Sequence, residues 1–325
     1  MQSEFFEYAP FTNSDLQDLV SVRNGEKRIG EQVTLHHTSN TKFMLLGIEE
    51  SIGPQANGGN SGAENAFKAF LKRFLNMQSN QFLIGNDIFL AGRISLKPTA
   101  NVPSDLSIVV DDLDNIVFQK IIDLCPSNII PIIIGGGHNN AFPIIKAMNK
   151  LKGNAINVIN LDPHADCRAL EGRHSGNPFS YAIKEGLIEK YGIIGLHKAY
   201  NNQYILDFLN QNASPHTFFD NYVSSKSDFQ SDIETFVRLF RSSKFTGIEL
   251  DMDAIAYSPS SAFSPSGLTV EQARYYISKM ARELNPCYLH LPEAAPNTIS
   301  EELISGKLLA YLVYDFIGNH NFNFS

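Results

Sequence analysis

The sequence predicts an α/β protein in which helices cover both faces of an open, mainly parallel sheet. The first observation is a series of short apolar runs that are continuous rather than alternating, which is typical of strands buried on both faces. The second is that segments with helical periodicity separate these runs, so that strands and helices alternate along the chain. The apolar runs lie at residues 43–48, 88–91, 129–134, 155–161, 192–196, 216–219, 246–250 and 287–291.

Three segments carry the start signal or the spacing of a helix. Ser61 with Glu64 forms a capping-box pattern ahead of apolar residues at helical spacing, and Thr269 with Gln272 does the same. The stretch 303–316 repeats its apolar residues with the helical period. We therefore expect helices at these three places.

The alternation runs from about residue 42 to the end of the chain without a linker-like break. This predicts a single domain over residues 42–325, and we interpret the mixed, polar residues 1–41 as an N-terminal surface extension. The glycine-rich loop at 53–62 lacks both the Lys-Ser/Thr of a phosphate-binding loop and the spacing of a dinucleotide site. Nucleotide binding is therefore not predicted, and the loop is expected to be mobile or to lie beside a substrate.

Composition and charge exclude several classes of protein. Hydrophobic residues make up 43% of the 325 residues, which is enough for a sizeable core. The net charge of −8 and the lack of a basic cluster argue against nucleic acid as the main partner. Apolar runs stay well short of the ~20 residues of a membrane span, and the first ten residues lack the pattern of a signal peptide. The three cysteines are unpatterned, so a reducing, cytoplasmic setting is expected.

The stretch N-L-D-P-H-A-D-C-R at residues 160–168 concentrates side chains that can carry chemistry. Asp162, His164 and Asp166 occupy every second position after an apolar run. Alternate side chains of an extended strand end point the same way, so these three can converge on one metal ion. The alternative is a solvated turn, and two further motifs favour the metal site.

Both of the other motifs place metal-competent side chains at strand ends. His138 follows three glycines in G-G-G-H-N-N, and Asp251 and Asp253 lie two apart in G-I-E-L-D-M-D-A-I. Open α/β sheets bind ligands at the carboxyl edge of their strands. Four aspartates gathered there would repel one another unless divalent cations were present. Oxygen-rich ligation with imidazole suits manganese better than structural zinc, and six side chains are enough for two ions.

These three motifs, in this order and spacing, resemble the metal motifs of the ureohydrolase family, which includes arginase, agmatinase and formimidoylglutamase. The resemblance covers roughly residues 42–318. It implies a three-layer α/β/α fold around an eight-stranded parallel sheet, two manganese ions per chain, an amidine or guanidine substrate, and a homotrimer or homohexamer. It implies that one ion is held by His138, Asp162, Asp166 and Asp251, and the other by Asp162, His164, Asp251 and Asp253.

Two features resemble the formimidoylglutamases within this family. Arg168 follows the last aspartate of the second motif, and the short loop that comes after it ends in S-G-N-P-F. The resemblance therefore implies cleavage of N-formimidoyl-L-glutamate to L-glutamate and formamide. An arginase, agmatinase or guanidino-acid hydrolase that releases urea is the first alternative. A metal-binding scaffold without catalysis is the second, and the intact ligand set speaks against it.

The resemblance also assigns roles to residues beside the metal motifs. Glu293 in P-E-A-A-P matches the acid that grips the amidine or guanidine group, with an exposed loop glutamate as the alternative. Asp166 is expected to accept hydrogen bonds from the tetrahedral intermediate. Arg168 and Arg173 are candidates for the substrate carboxylates, because a guanidinium matches a carboxylate bidentately. A surface role is the alternative for Arg173.

The position of the family's proton-shuttling histidine falls on Ser175 in a gapless comparison, with His174 one residue early. His174 is a candidate catalytic residue next to the shuttle position. The alternative is that it points away from the metals and bonds a backbone carbonyl of its own turn. Ser175 and Asn177 are candidates for substrate contacts. His290 lies three residues before Glu293, where the family usually has aspartate, and the sequence offers no account of it.

Overall fold

The computed structural model describes residues 3–320 and contains a nine-stranded sheet in the order β1-β3-β2-β4-β9-β8-β5-β6-β7. All neighbouring strands pair in parallel except β1, which is antiparallel to β3. The strands are Phe6–Pro10 (β1), Phe43–Glu49 (β2), Ile88–Leu96 (β3), Ile130–Ile134 (β4), Ile156–Leu161 (β5), Ile188–Leu196 (β6), His216–Phe218 (β7), Thr246–Leu250 (β8) and Pro286–Leu291 (β9). Each of the eight predicted runs falls on a strand, and the continuous burial of β4, β5, β8 and β9 explains why these runs do not alternate.

Helices cover both faces of the sheet. They are Asn13–Leu19 (α1), Ile52–Ala56 (α2), Ala66–Phe74 (α3), Leu106–Leu124 (α4), Ala141–Lys152 (α5), Pro178–Lys184 (α6), Gln203–Gln211 (α7), Phe219–Val223 (α8), Phe229–Phe240 (α9), Val270–Glu283 (α10) and Ile299–Asn319 (α11). One apolar core includes residues of α3, α9, α10 and α11, and the other includes residues of α4, α5, α6 and α7. Successive β2 residues alternate between them, because Leu45 belongs to the first core and Leu46 to the second. The predicted three-layer α/β/α architecture is confirmed.

The ninth strand comes from the segment that the sequence suggests is a surface extension. Phe6 is buried and opposes Leu96, and the backbone N–H of Phe5 donates to Asp112 of α4 at 2.9 Å. Residues 6–10 are therefore part of the sheet, which has nine strands rather than eight. The division of the chain at residue 42 stays a prediction, and residues 321–325 of the expected domain lie outside the described residues.

The helix-start signals have different outcomes. Thr269 and Gln272 form the predicted capping box at α10. The prediction for Ser61 is wrong, because the hydroxyl of Ser51 accepts hydrogen bonds from the N–H groups of Gly62 and Ala63 at 3.0 and 2.9 Å. Ser51, ten residues earlier, thus accepts the N–H groups that Ser61 was expected to accept at this helix start. The predicted C-terminal helix is confirmed as α11.

Four adjacent strands at the centre of the sheet place the candidate site. The loops that follow β4, β9, β8 and β5 carry His138, Glu293, Asp251 and Asp162, respectively. Since parallel strands end at the same edge, side chains far apart in sequence meet there. No helix within residues 3–320 is long and apolar enough to span a membrane.

Candidate metal centre

His138 lies in the middle of a buried acidic cluster. Its Nδ1 is 3.1 Å from Oδ2 of Asp162, 3.0 Å from Oδ2 of Asp166 and 3.0 Å from Oδ2 of Asp251. These four side chains offer ligand atoms that all lie within 4.8 Å of one another. The four residues expected at the first ion therefore converge, as strand-end geometry predicts.

The remaining two predicted ligands lie beside this cluster. Nδ1 of His164 is 3.6 Å from Oδ1 of Asp162 and 3.8 Å from Oδ2 of Asp253. Asp162 therefore presents one carboxylate oxygen to His138 and the other to His164. A carboxylate that bridges two ions needs this arrangement.

The charges of the cluster make it a fit for divalent cations. Burial, then the negative charges of Asp253 and Asp162, raise the pKa of the Asp251 carboxyl. Burial, followed by the charge of Asp162, also raises the pKa of Asp166. Ionised carboxylates held this close repel one another unless positive charge lies between them. Four carboxylates with two imidazoles form a donor set that suits manganese.

Glycines shape the loop that carries His138. Gly135 and Gly136 have φ angles of +86° and +69°, which side chains with a Cβ rarely adopt. The turn lets the carbonyl of Gly136 accept the backbone N–H of Glu293 at 2.9 Å. Glu50, a buried residue that directly follows β2, accepts the N–H of Gly137 at 2.9 Å. The sequence analysis missed this role of Glu50.

Glu293 is buried beside the cluster, which excludes the exposed-loop alternative. Its Oε1 accepts the backbone N–H of His138 at 2.6 Å, and its Oε2 contacts the hydroxyl of Ser261. Burial, then the charge of Asp253, raise the pKa of Glu293 to about 8. Glu293 and Asp166 both have positive φ angles, +67° and +48°. Such backbone strain costs roughly 1–3 kcal/mol for each residue and gathers at functional sites.

A cavity of about 310 Å³ opens onto this cluster, and we call it the acidic cavity. Its size lies at the lower end of the range for small-molecule sites, about 300–1,000 Å³. It is lined by four of the predicted metal ligands and by three other predicted site residues. These are His164, Asp166, Asp251 and Asp253, together with Arg168, Ser175 and Glu293.

Arg168 lines both the acidic cavity and a second cavity, whose walls include residues 104–107, Asn57 and Glu171. Its Nη1 donates to Oδ1 of Asn57 at 2.9 Å, and its Nη2 is 3.1 Å from Oε1 of Glu171. About half of the side chain is exposed. Asn57 belongs to the glycine-rich loop, so this loop does lie beside the cavity.

The structure does not place Arg173 as the sequence analysis suggests. Arg173 is buried, and its guanidinium pairs with both carboxylate oxygens of Asp114 at 2.7 and 3.3 Å. The same guanidinium donates to Oδ1 of Asn177 at 2.8 Å and to the carbonyl of Asn139 at 2.9 Å. Its donors are thus committed to protein acceptors, so Arg173 holds the loop in place and does not line the acidic cavity.

His174 and Asn177 also serve the loop itself. Nδ1 of His174 accepts the N–H of Gly176 at 3.1 Å, and its side chain lines the second cavity rather than the acidic one. Asn177 donates to the carbonyls of Gly172 and Ala169 at 2.7 and 3.2 Å. The structure supports neither the predicted substrate contact of Asn177 nor the catalytic role of His174. His174 takes the alternative backbone role, with an N–H as partner instead of a carbonyl.

A loop after β6, which the sequence analysis missed, supports the second predicted ligand set. Tyr200 stacks on His164 with ring centroids 5.1 Å apart and lines the acidic cavity. Asn201 accepts the N–H of Ala165 and donates to the carbonyl of Pro163, both at 3.0 Å. No local pattern marks these two residues, because their partners are about 36 positions away.

These features define the class of α/β/α proteins with a buried histidine–aspartate cluster, able to hold a metal ion, at the carboxyl edge of the sheet. The Arginase family matches residues 41–318, which is most of the chain, and the chain belongs to that family. This match confirms the resemblance seen in the three motifs and its extent.

The relatives and structural neighbours include several formimidoylglutamases. The formimidoylglutamase of Streptococcus pyogenes serotype M3 is 27% identical over 180 residues, which cover 52% of this chain and 51% of the relative. The match thus spans about half the length of the curated relatives.

Solved structures with the same fold cover nearly the whole chain. Formimidoylglutamase from Bacillus subtilis has a TM-score of 0.75 at 17% identity over 92% of this chain and 93% of the other. Formiminoglutamase from Trypanosoma cruzi with Mn²⁺ has a TM-score of 0.72 at 19% identity, covering 91% and 100%. Proclavaminate amidino hydrolase from Streptomyces clavuligerus has a TM-score of 0.69 at 17% identity, covering 92% and 99%. At these identities the likeness establishes the fold alone.

Proposed function

We propose that this protein is a binuclear manganese hydrolase that cleaves N-formimidoyl-L-glutamate into L-glutamate and formamide. The observation that carries the proposal is the convergence of His138, Asp162, Asp166 and Asp251, with His164 and Asp253 beside them, next to one small cavity that Glu293 and Arg168 line. The formimidoylglutamases among the matched relatives support the choice of substrate. The T. cruzi formiminoglutamase with Mn²⁺ supports the choice of metal.

Six side chains would hold the metal. They are His138, Asp162, His164, Asp166, Asp251 and Asp253. When bound, manganese would supply an activated water and would stabilise the negative charge that develops in the reaction. Asp162 and Asp251 are the expected shared ligands.

Glu293 would recognise the cationic end of the substrate. It lines the acidic cavity and is buried, and a charge-assisted hydrogen bond to an amidinium is strong in such surroundings. The backbone N–H of His138 and the hydroxyl of Ser261 fix the direction of its carboxylate. Asp166, also at the cavity wall, would accept a hydrogen bond from the N–H groups of the tetrahedral intermediate.

Arg168 would bind a carboxylate of the glutamate moiety. It lies at the edge of the acidic cavity, and Asn57 and Glu171 hold its guanidinium there. Ser175, whose N–H donates to the carbonyl of Gly53 at 3.1 Å, would contribute a hydroxyl to the same wall. Arg173 and Asn177 are given no part in substrate binding.

The urea-releasing alternative is supported less well. Hydrolysis of either substrate releases an amine that needs a proton, and in an arginase-like reaction the family's shuttle histidine is expected to supply it near neutral pH. Ser175 lines the acidic cavity at the position of the family's shuttle, whereas His174 lies outside it.

The deciding experiment incubates the manganese-loaded protein with N-formimidoyl-L-glutamate, arginine, agmatine and a guanidino acid. We expect formamide and glutamate from the first compound and little or no urea from the others. Urea production without formamide would favour the alternative, and no turnover of any compound would favour a non-catalytic scaffold. Asp162→Asn serves as the control for contaminating activity. The homo-oligomer and the cytoplasmic location stay predictions.

A further inference from the structure

A row of three buried polar side chains crosses the sheet next to the candidate metal centre. Asn160 on β5 opposes Glu249 on β8, and Glu249 opposes His290 on β9. Residues opposite one another on adjacent strands share a face of the sheet, so the three side chains are neighbours. Each is fully buried, and Asn160 and Glu249 lie two positions before Asp162 and Asp251.

Glu249 is held by two donors from β9. Its Oε1 accepts the hydroxyl of Tyr288 at 2.7 Å, and its Oε2 is 2.7 Å from Nδ1 of His290. An ionised carboxylate can only accept hydrogen bonds, so Nδ1 of His290 carries the proton of that contact. Glu249 therefore has a fixed position and orientation within the sheet.

The same carboxylate oxygen lies close to the predicted metal ligand His138. Nε2 of His138 is 3.5 Å from Oε2 of Glu249. This distance is longer than an ordinary hydrogen bond, and Nε2 has no hydrogen-bond partner among residues 3–320. On the other side of the ring, Nδ1 faces the three aspartates of the cluster.

The chemistry of a histidine ligand explains this arrangement. A neutral imidazole that gives the lone pair of Nδ1 to a metal ion carries its proton on Nε2, and that N–H needs an acceptor. Glu249 is an acceptor within reach in a region closed to solvent.

We propose that Glu249 is a positioning residue for the metal centre. It accepts the Nε2–H of His138, which fixes the tautomer and the plane of the ring, while Tyr288 and His290 keep the carboxylate in place. This also explains the histidine at position 290. Glu249 on the adjacent strand β8 supplies the carboxylate of the row, and His290 donates a hydrogen bond to it. The inference rests on the proposed function only in requiring that a metal ion binds His138.

The test measures manganese binding by calorimetry and electron paramagnetic resonance in the whole protein. Glu249→Gln should weaken the ion held by His138 by about 10- to 100-fold, as the loss of such outer partners typically does. The ion beside His164 should change less. Tyr288→Phe is the matched control, because it removes a buried hydrogen bond but leaves the carboxylate and the His290 donor, and its loss should be smaller.

Several outcomes would overturn the inference. Equal manganese affinity of the wild-type protein and a folded Glu249→Gln variant is the first. Binding of a third ion that Glu249→Gln removes is the second, since Glu249 would then itself be a ligand beside His138 and His290. If the wild-type protein binds no manganese, this inference fails together with the proposed function.

A measurement on the wild-type protein keeps the inference testable if Glu249→Gln does not fold. Zinc, which is diamagnetic and accepts the same nitrogen and oxygen ligands, allows the tautomer of His138 to be read by ¹⁵N nuclear magnetic resonance. The proton should be on Nε2, with the downfield shift of an N–H bonded to a carboxylate. A His138 without that proton would contradict the proposed role.

Discussion

The side chains of the consecutive residues His174 and Ser175 line different cavities. Ser175 lines the acidic cavity, whereas His174 lines the second one and accepts the backbone N–H of Gly176. The turn separates them, since the N–H of Ser175 is bound to the carbonyl of Gly53 at 3.1 Å. Only one of two adjacent polar residues therefore faces the predicted substrate.

We expect His174→Ala to reduce turnover moderately. General acid–base catalysis is worth about 100- to 10,000-fold, so a residue without that role should cost less than about 100-fold. The measurement is kcat with and without added imidazole, and imidazole should restore nothing. A larger loss that imidazole repairs would make His174 the proton shuttle and would favour a guanidine substrate.

Arg168→Ala should impair substrate binding selectively. Losing a hydrogen bond to a charged group costs about 1.5–3 kcal/mol, which should appear mainly as a higher KM for N-formimidoyl-L-glutamate. An N-alkyl formamidine without carboxylates is the control substrate, and its kcat/KM should not change. Equal losses with both substrates would show that Arg168 supports the cavity rather than binding a carboxylate.

Arg173→Ala should lower the free energy of unfolding strongly and should have little effect on substrate selectivity. Breaking a buried ion pair leaves Asp114 with an uncompensated charge and costs about 3–5 kcal/mol. The free energy of unfolding, measured by chemical denaturation, checks this value. Arg274→Ala is the matched control, because Arg274 also pairs bidentately, with Asp315, but is 41% exposed and should lose at most about 1 kcal/mol. Equal effects would show that the buried pair contributes no more than the surface pair.

Glu293→Gln should cost about 2–4 kcal/mol of transition-state stabilisation, comparable to the loss of one preorganised group. The amide oxygen can still accept the N–H of His138, so manganese content should stay normal. Steady-state kinetics and elemental analysis of the same preparation check both statements. Unchanged kcat/KM would exclude Glu293 from substrate recognition.

Asp162→Asn should disturb both ions, whereas Asp253→Asn should disturb mainly one. Asp162 presents an oxygen to each of the two predicted ligand sets, while Asp253 belongs to the His164 set alone. Elemental analysis after manganese loading should find close to two ions per chain in the wild-type protein. A fully active preparation without metal would contradict the proposed chemistry.

Much of the fold was predictable because its signals are local. Continuous burial explains the apolar runs of the central strands β4, β5, β8 and β9, and Thr269 marks a helix start through a contact with its third neighbour. The convergence of the three metal motifs was also predictable, since each follows a strand and parallel strands end at one edge. The missed strand β1 is short, and what places it is its pairing with β3, nearly ninety residues away.

The sequence by itself determined the α/β class, the position of the metal motifs at strand ends, and the types of side chain that meet there. Only the tertiary structure decided which polar residues beside these motifs face the acidic cavity. Arg168 and Arg173 look alike in sequence, but Asp114, 59 positions away, binds the second and removes it from the site. Glu249 and His290 become partners only because β8 and β9 pair in this register. Such contacts form between segments far apart in the chain, so a local sequence pattern cannot predict them.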